Sequence, residues 1–73
     1  MAVIKLDTKG LRCPQPVLKV AAKMPTIAKG DLLEVTGDCP TFEEDMRKWC
    51  ERMKKPLLAV ARDGSAVTAQ IQF

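Results

Sequence analysis

The sequence predicts an α/β (α+β) two-layer sandwich, in which two helices cover one face of a mixed four-stranded sheet. Three observations predict this fold. Two segments with the alternation of a strand are each followed by a helical pattern, and two further strand patterns near the end are separated by Asp63-Gly64. The order of elements is therefore βαβαββ, and we expect it to form a single domain over residues 1–73.

The first half of the chain predicts a βαβ unit. Apolar and polar residues alternate over residues 3–7, which indicates a strand. A helix should begin at Pro14 or Pro16 and continue to about Met24, because proline is favoured at a helix start and Pro25 then ends the pattern. A second strand is expected at residues 32–36, parallel to the first because a crossover helix connects them. The predicted core positions of the helix are Val17, Leu18, Ala21 and Met24.

The second half predicts a helix and a hairpin. Thr41 and Glu44 have the spacing of a capping box, and the apolar face of this helix should comprise Phe42, Met46, Trp49, Cys50 and Met53. Strands are expected at residues 57–62 and 65–73, joined by a type I′ turn at Asp63-Gly64.

Composition excludes several classes of protein. The net charge of +3 is mild and spread along the chain, and the chain has only two Phe, one Trp and no Tyr. Direct nucleic-acid binding is therefore not expected. No apolar run approaches the ~20 residues that span a membrane, and residues 1–7 alternate instead of forming a signal-peptide core. We therefore expect a cytoplasmic protein, a monomer, with no membrane partner.

The chain contains no histidine, and this limits its chemistry to thiols. Cys–His nucleophiles and His-ligated metals are excluded. Cys13 follows the first strand and Cys39 follows the second. Because the carboxyl ends of parallel strands meet at one edge of a sheet, both cysteines should lie at that edge, where ligands commonly bind.

Cys13 is the candidate reactive residue. It lies at the predicted start of the first helix, where the helix dipole favours a thiolate, and Pro14 and Pro16 make the turn rigid. Pro16 occupies the position at which a C-x-x-C motif has its resolving thiol. A sulfur atom held on Cys13 as a persulfide therefore has no neighbour in the motif to expel it. The alternative is a small apolar side chain beside a helix cap.

The other two cysteines are expected to have different roles. Cys50 belongs to the apolar face of the second helix and should be structural. Cys39, between Asp38 and Pro40, could fill space in its loop, resolve a disulfide with Cys13, or accept sulfur itself. A zinc site is not expected, because the chain has no C-x-x-C pair and no fourth cysteine. No metal or other cofactor is predicted.

Basic residues near Cys13 leave two interpretations open. Arg12 could stabilise the thiolate or contact an acidic partner, or it could be a solvated loop charge. Lys9, Lys19 and Lys23 could form a basic rim around the cysteine, although Lys19 and Lys23 also fit the exposed face of the first helix.

The segment Gly10-Leu11-Arg12-Cys13-Pro14-Gln15-Pro16 resembles the C-P-x-P signature of the TusA (SirA/YedF-like) sulfur-carrier family. The likeness extends over essentially the whole chain. The resemblance implies a βαβαββ sandwich, similar to the C-terminal domain of translation initiation factor three. It also implies that Cys13 accepts sulfane sulfur as a persulfide.

The resemblance further implies two kinds of partner protein. A cysteine desulfurase or a rhodanese-type protein would donate the sulfur, and a downstream acceptor would use it in tRNA thiolation, molybdenum-cofactor synthesis or sulfur oxidation. Such a chain is a sulfurtransferase-type carrier more than a self-contained turnover enzyme. Gln15 occupies a position at which some relatives carry Glu. Cys39 lies outside the signature, so the resemblance implies no role for Cys39.

Two other functions remain open from the sequence. One is a thiol redox protein that uses Cys13 and Cys39 as a dithiol pair. The other is a regulatory or RNA-binding adaptor, suggested by the pI of 8.9 and by the likeness to a ribosome-binding domain.

Overall fold

The computed structural model describes residues 2–73 and confirms the predicted order of elements. A short 3₁₀ helix at Met24–Thr26 follows the first α-helix. The strands are β1 (Val3–Asp7), β2 (Leu32–Gly37), β3 (Leu57–Asp63) and β4 (Ala66–Gln72), and the helices are α1 (Gln15–Lys23) and α2 (Phe42–Met53).

The four strands form one mixed sheet in the order β1-β2-β4-β3. β1 and β2 are parallel, with Leu6 opposite Val35, as the crossover predicts. β4 pairs antiparallel with β2 and with β3. Because β1 and β2 run in the same direction, the loops that follow them leave the sheet at one edge, and these loops carry Cys13 and Cys39.

The core lies between the helices and one face of the sheet. Alternate residues of β2 and β4 are buried, which is the period of a strand covered on one side. Helix α2 contributes most of the opposing surface. The buried apolar cluster comprises Val20, Leu33, Val35, Phe42, Met46, Trp49, Cys50, Val67, Ala69 and Ile71.

Of the four core positions predicted for the first helix, Val17 and Met24 pack partly buried against the core, and the other two were wrong. Leu18 is 54% exposed and Ala21 is also exposed, whereas Pro16 and Val20 are buried. The buried positions follow an i, i+4 spacing that begins at Pro16. A proline ring at a helix start is an apolar side chain as well as a cap, and the sequence analysis treated it only as a cap.

The apolar face of α2 is confirmed except at its end. Met53 is 39% exposed because the helix ends at Lys54, which has a left-handed φ of 57°. The predicted capping box does not form, since no side chain caps the helix. Glu44 instead forms an ion pair with Lys48 at 3.6 Å, and Thr41 Oγ1 donates a hydrogen bond to Asp45 at 3.1 Å.

The hairpin turn is displaced by one residue from its predicted position. Asp63 pairs with Ala66, so Gly64 and Ser65 form the two-residue loop. Gly64 has a φ of 62° and Ser65 is not left-handed, which is the pattern of a type II′ turn. Asp63 therefore remains in β3, and the glycine alone provides the positive φ.

Gly37 at the end of β2 fixes how closely α2 approaches the sheet. A Cβ atom at this position would overlap the ring of Phe42 and would lie 2.9 Å from Thr8 Oγ1. Only glycine allows this contact. Gly37 thus sets the path of the loop that carries Cys39. Across residues 2–73, neither helix has the length and apolar character needed to cross a membrane.

Candidate functional site

Two hydrogen-bonded contacts hold the β1–α1 and β2–α2 loops together at the sheet edge. The backbone N–H and the hydroxyl of buried Thr8 both donate to the carbonyl of Thr36, each at 2.7 Å. Further along, the N–H of Gly10 donates to Asp38 Oδ1 at 3.0 Å. These contacts fix the relative position of the two segments that lead to the cysteines.

Cys13 and Cys39 are joined by a disulfide, with their Cα atoms 6.1 Å apart. Cys13 therefore has a thiol partner nearby, although its own motif contains none. The partner is not at the C-x-x-C position, which holds Pro16, but 26 residues away in the neighbouring loop. The parallel pairing of β1 and β2 produces this proximity. Among the roles left open for Cys39, the geometry favours a thiol partner of Cys13.

Cys13 immediately precedes the residue that caps α1. Pro14 is the N-cap, the Cys13–Pro14 peptide bond is cis, and the first helical hydrogen bond runs from the N–H of Leu18 to the carbonyl of Pro14 at 3.2 Å. The N–H of Gln15 donates to the carbonyl of Arg12 at 2.7 Å, so it is already used within the turn. The half-buried cysteine therefore lies next to the helix start, where the N–H of Gln15 already has another acceptor.

Thr41 and Asp45 belong to the site although the sequence analysis did not select them. Thr41 Oγ1 lies 3.6 Å from Cys39 Sγ and donates to Asp45 Oδ2 at 3.1 Å. A carboxylate oxygen of Asp45 and the two cysteine sulfurs all lie within 4.8 Å of one another. The i, i+4 spacing of a threonine and an aspartate at a helix start, just after Cys39, was the signal available in the sequence.

The helix start and the acidic side chains beside it have opposite effects on negative charge at the two sulfurs. The start of α2 favours negative charge, but its first turn already carries three acidic residues, of which Asp45 is nearest to the thiols. The side chain of Arg12 is exposed at the rim. The site is therefore less electropositive than the helix starts alone predict.

The disulfide lies in the wall of an open depression of about 430 Å³ at the surface. Six of the predicted site residues meet there. The depression is lined by Gly10, Leu11, Arg12, Cys13, Asp38, Cys39, Pro40 and Thr41.

The remaining predicted site residues lie elsewhere. Pro14 lines a separate groove of about 260 Å³ between the two helices, Gln15 is exposed, and Pro16 is buried in the core. Lys9 lines a depression on the uncovered face of the sheet, and neither Lys19 nor Lys23 lines the cysteine depression. Among the described residues, Arg12 is therefore the basic residue that lines the cysteine depression, and no lysine lines it.

Cys50 does not take part in the site. It is a free thiol that is only 3% exposed, and its burial raises its pKa above 9.0. A neutral, enclosed thiol is a poor nucleophile. This position is consistent with its predicted structural role. The cluster of side chains that could hold a metal ion consists of Cys13, Cys39 and Asp45, and it does not include Cys50.

The fold and the site together define a small α+β protein with a pair of bonded cysteines in an open depression beside the start of the first helix. A cysteine in an open depression is within reach of a loop of another protein. The family model described as "Sulfurtransferase TusA" matches residues 4–72. The chain therefore belongs to the TusA family, and its general role is that of a sulfur carrier that works with sulfur donors and acceptors.

Proposed function

We propose that the chain accepts sulfane sulfur as a persulfide on Cys13 and passes it to an acceptor protein. The observation that carries this proposal is the position of Cys13, the cysteine of the C-P-x-P motif. It lies just before the cap of α1, in the wall of the open depression. Cys50 is enclosed, and Cys39 lies outside the motif.

The transfer consists of two thiol exchanges and begins from the reduced site. A dithiol reductant first opens the Cys13–Cys39 bond. The Cys13 thiolate then attacks the outer sulfur of the donor persulfide, a new S–S bond forms on Cys13, and the donor leaves as a thiolate. An acceptor thiolate attacks the outer sulfur in turn and Cys13 leaves as a thiolate, so the two steps involve no net oxidation.

The partners we propose follow from this chemistry and from the family. A cysteine desulfurase or a rhodanese-type protein supplies the sulfur in the cytoplasm. The acceptor serves tRNA thiolation, molybdenum-cofactor synthesis or sulfur metabolism. The open depression supports a carrier that acts as a monomer without a cofactor, because the loop of a partner protein can reach Cys13 directly.

Mass spectrometry of the intact chain tests the loading step. The reduced protein is incubated with a cysteine desulfurase and cysteine, and the gain of one sulfur atom is measured. Cys13→Ser should lose this gain, whereas Cys50→Ser, the control for an unrelated cysteine, should retain it. Loading that survives Cys13→Ser would refute the proposal.

The Cys13–Cys39 disulfide favours one second candidate, a dithiol redox protein. This function requires both cysteines and a reversible disulfide, but no bound sulfur. It predicts that Cys39→Ser abolishes reduction of a disulfide substrate, whereas the persulfide carrier predicts that the same variant still gains sulfur from a desulfurase. Retention of reductase activity in Cys39→Ser would exclude the dithiol function.

A further inference from the structure

We propose that Cys39 is a resolving thiol, which discharges the Cys13 persulfide as hydrosulfide when no acceptor is docked. The inference rests on the proposed function, since it requires a persulfide on Cys13. It assigns a reaction to a cysteine that lies outside the family motif.

The first argument is the distance between the two cysteines. Their Cα atoms are 6.1 Å apart, a separation that a disulfide spans without movement of the backbone. The bonds from Thr8 to Thr36 and from Gly10 to Asp38 hold the loops at this separation independently of the disulfide. When the site is reduced, Cys39 Sγ is therefore already placed to reach the sulfur attached to the Cys13 Cβ.

The second argument concerns which sulfur of the persulfide Cys39 reaches. In Cys13–S–SH the inner sulfur is the Sγ atom of Cys13, and this atom is bonded to Cys39 in the structure. Cys13 also lines the open depression, which has room for an outer sulfur attached to it. Attack by Cys39 thus falls on the inner sulfur, whereas the outer sulfur is presented to partner proteins.

The third argument is a path for the thiol proton of Cys39. The hydroxyl of Thr41 donates its hydrogen to Asp45 at 3.1 Å, so its oxygen can accept a hydrogen bond from the Cys39 thiol, whose sulfur is 3.6 Å away. A chain with no histidine thereby has a hydroxyl and a carboxylate beside the attacking thiol. Thr41 and Asp45 act here as positioning residues.

The step balances without an external oxidant. The Cys39 thiolate attacks the inner sulfur, the Cys13–Cys39 bond forms, and the bond between the inner and outer sulfurs breaks. The outer sulfur leaves with the electron pair as hydrosulfide, which forms hydrogen sulfide when it takes up the proton that Cys39 lost. The outer sulfur is reduced, and the two cysteine sulfurs become a disulfide, which a dithiol reductant reopens for the next cycle.

Release of sulfide from the loaded chain tests the inference. The fully reduced protein is loaded anaerobically with a cysteine desulfurase and cysteine, and it is then freed of desulfurase and small thiols. Sulfide in solution and the intact mass are followed together. The wild-type chain should release one equivalent of sulfide as it becomes the intramolecular disulfide, and Cys50→Ser should do the same.

The variants separate the inference from the proposed function. Cys39→Ser should load equally but release sulfide at least about tenfold more slowly, because an intramolecular nucleophile is lost. Thr41→Val should slow release and move its pH profile upward, because the thiol proton can no longer pass through the hydroxyl to the carboxylate of Asp45. A wild-type chain that holds its persulfide as long as Cys39→Ser, or that moves the sulfur to Cys39 without sulfide release, overturns the inference alone. Failure of Cys39→Ser to load at all overturns the proposed function.

Discussion

The carboxylate of Asp38 accepts a hydrogen bond from the backbone N–H of Gly10, and this contact joins the two loops that carry the bonded cysteines. Gly10 has a φ of 86°, a backbone conformation that glycine adopts without strain. The loop after β1 can therefore turn its N–H toward the loop after β2.

Removal of this contact should weaken the Cys13–Cys39 disulfide. Asp38→Ala removes one exposed hydrogen bond, worth about 0.5–1.5 kcal/mol, so the equilibrium constant for disulfide formation should fall by about two- to tenfold. Thiol titration in glutathione redox buffers measures this constant. Asp63→Ala, which removes an exposed carboxylate in the hairpin, is the control and should leave the constant unchanged.

Asp45 should restrain the reactivity of the reduced thiols. Its carboxylate lies within 4.8 Å of both sulfurs and disfavours negative charge on them. Asp45→Asn keeps an acceptor for Thr41 and removes the charge, so alkylation of Cys13 at neutral pH should become about three- to tenfold faster at low salt. Peptide mapping after a timed pulse of iodoacetamide measures the rate.

The matched control for this charge is Glu44, the adjacent acid of the same helical turn. Glu44→Gln removes an exposed carboxylate that pairs with Lys48, and it should change the rate little. Equal acceleration by both variants would show that the charge of the whole helix start matters, and not the position of Asp45.

Gly37→Ala should destabilise the fold. The added methyl group overlaps the ring of Phe42 and approaches Thr8 Oγ1, so α2 or β2 must shift. Overpacking of this kind costs about 1–3 kcal/mol and should lower the Tm by at least about 5 °C in a domain of this size. Thermal unfolding followed by circular dichroism tests this, with the exposed Ser65→Ala as control. An unchanged Tm would contradict the prediction, because the neighbouring atoms would then accommodate the methyl group without loss of stability.

Cys50 should make the stability of the oxidised chain fall at alkaline pH. Burial raises the pKa of this thiol above 9.0, so the unfolded chain ionises at a pH at which the folded chain still holds its proton. The stabilising contribution is complete below 9.0 and is lost as the pH rises toward the folded-state value.

Urea unfolding at pH values from about 8 to 10 measures this effect. Cys50→Ala is the comparison, since it removes the titrating thiol and leaves every other residue unchanged. The unfolding free energy of the wild-type chain should fall more steeply with pH than that of the variant. Parallel curves would contradict the prediction.

Local patterns in the sequence predicted the fold because each element depends on a short segment. The alternation in β1, the crossover through α1 and the apolar face of α2 determine the sheet and its covered side. The errors arose where one residue has two roles. Pro16 is both a helix-start residue and a core residue, and Gly64 begins the turn instead of ending it.

The site was predictable only in part, because its composition depends on contacts between loops. Strand direction placed Cys13 and Cys39 at one edge, but the 6.1 Å between their Cα atoms depends on Thr8, Gly10 and Asp38, which bridge segments about 28 residues apart in sequence. Thr41 was assigned to helix capping, and Asp45 was not selected. Their contact with Cys39 follows from the path of the chain before α2, which the pattern does not reveal.

The covalent ring closed by the two cysteines contains α1 and β2, with a separation of 26 residues. Tying such a loop restricts the unfolded chain and favours folding by about 3–4 kcal/mol in the chain-entropy description. Reduction of the disulfide frees the Cys13 thiol and also removes this contribution to the free energy of folding. Under the proposed function, the reduced form that loads sulfur is accordingly the form that unfolds more readily, and the disulfide-bonded form is the more stable one.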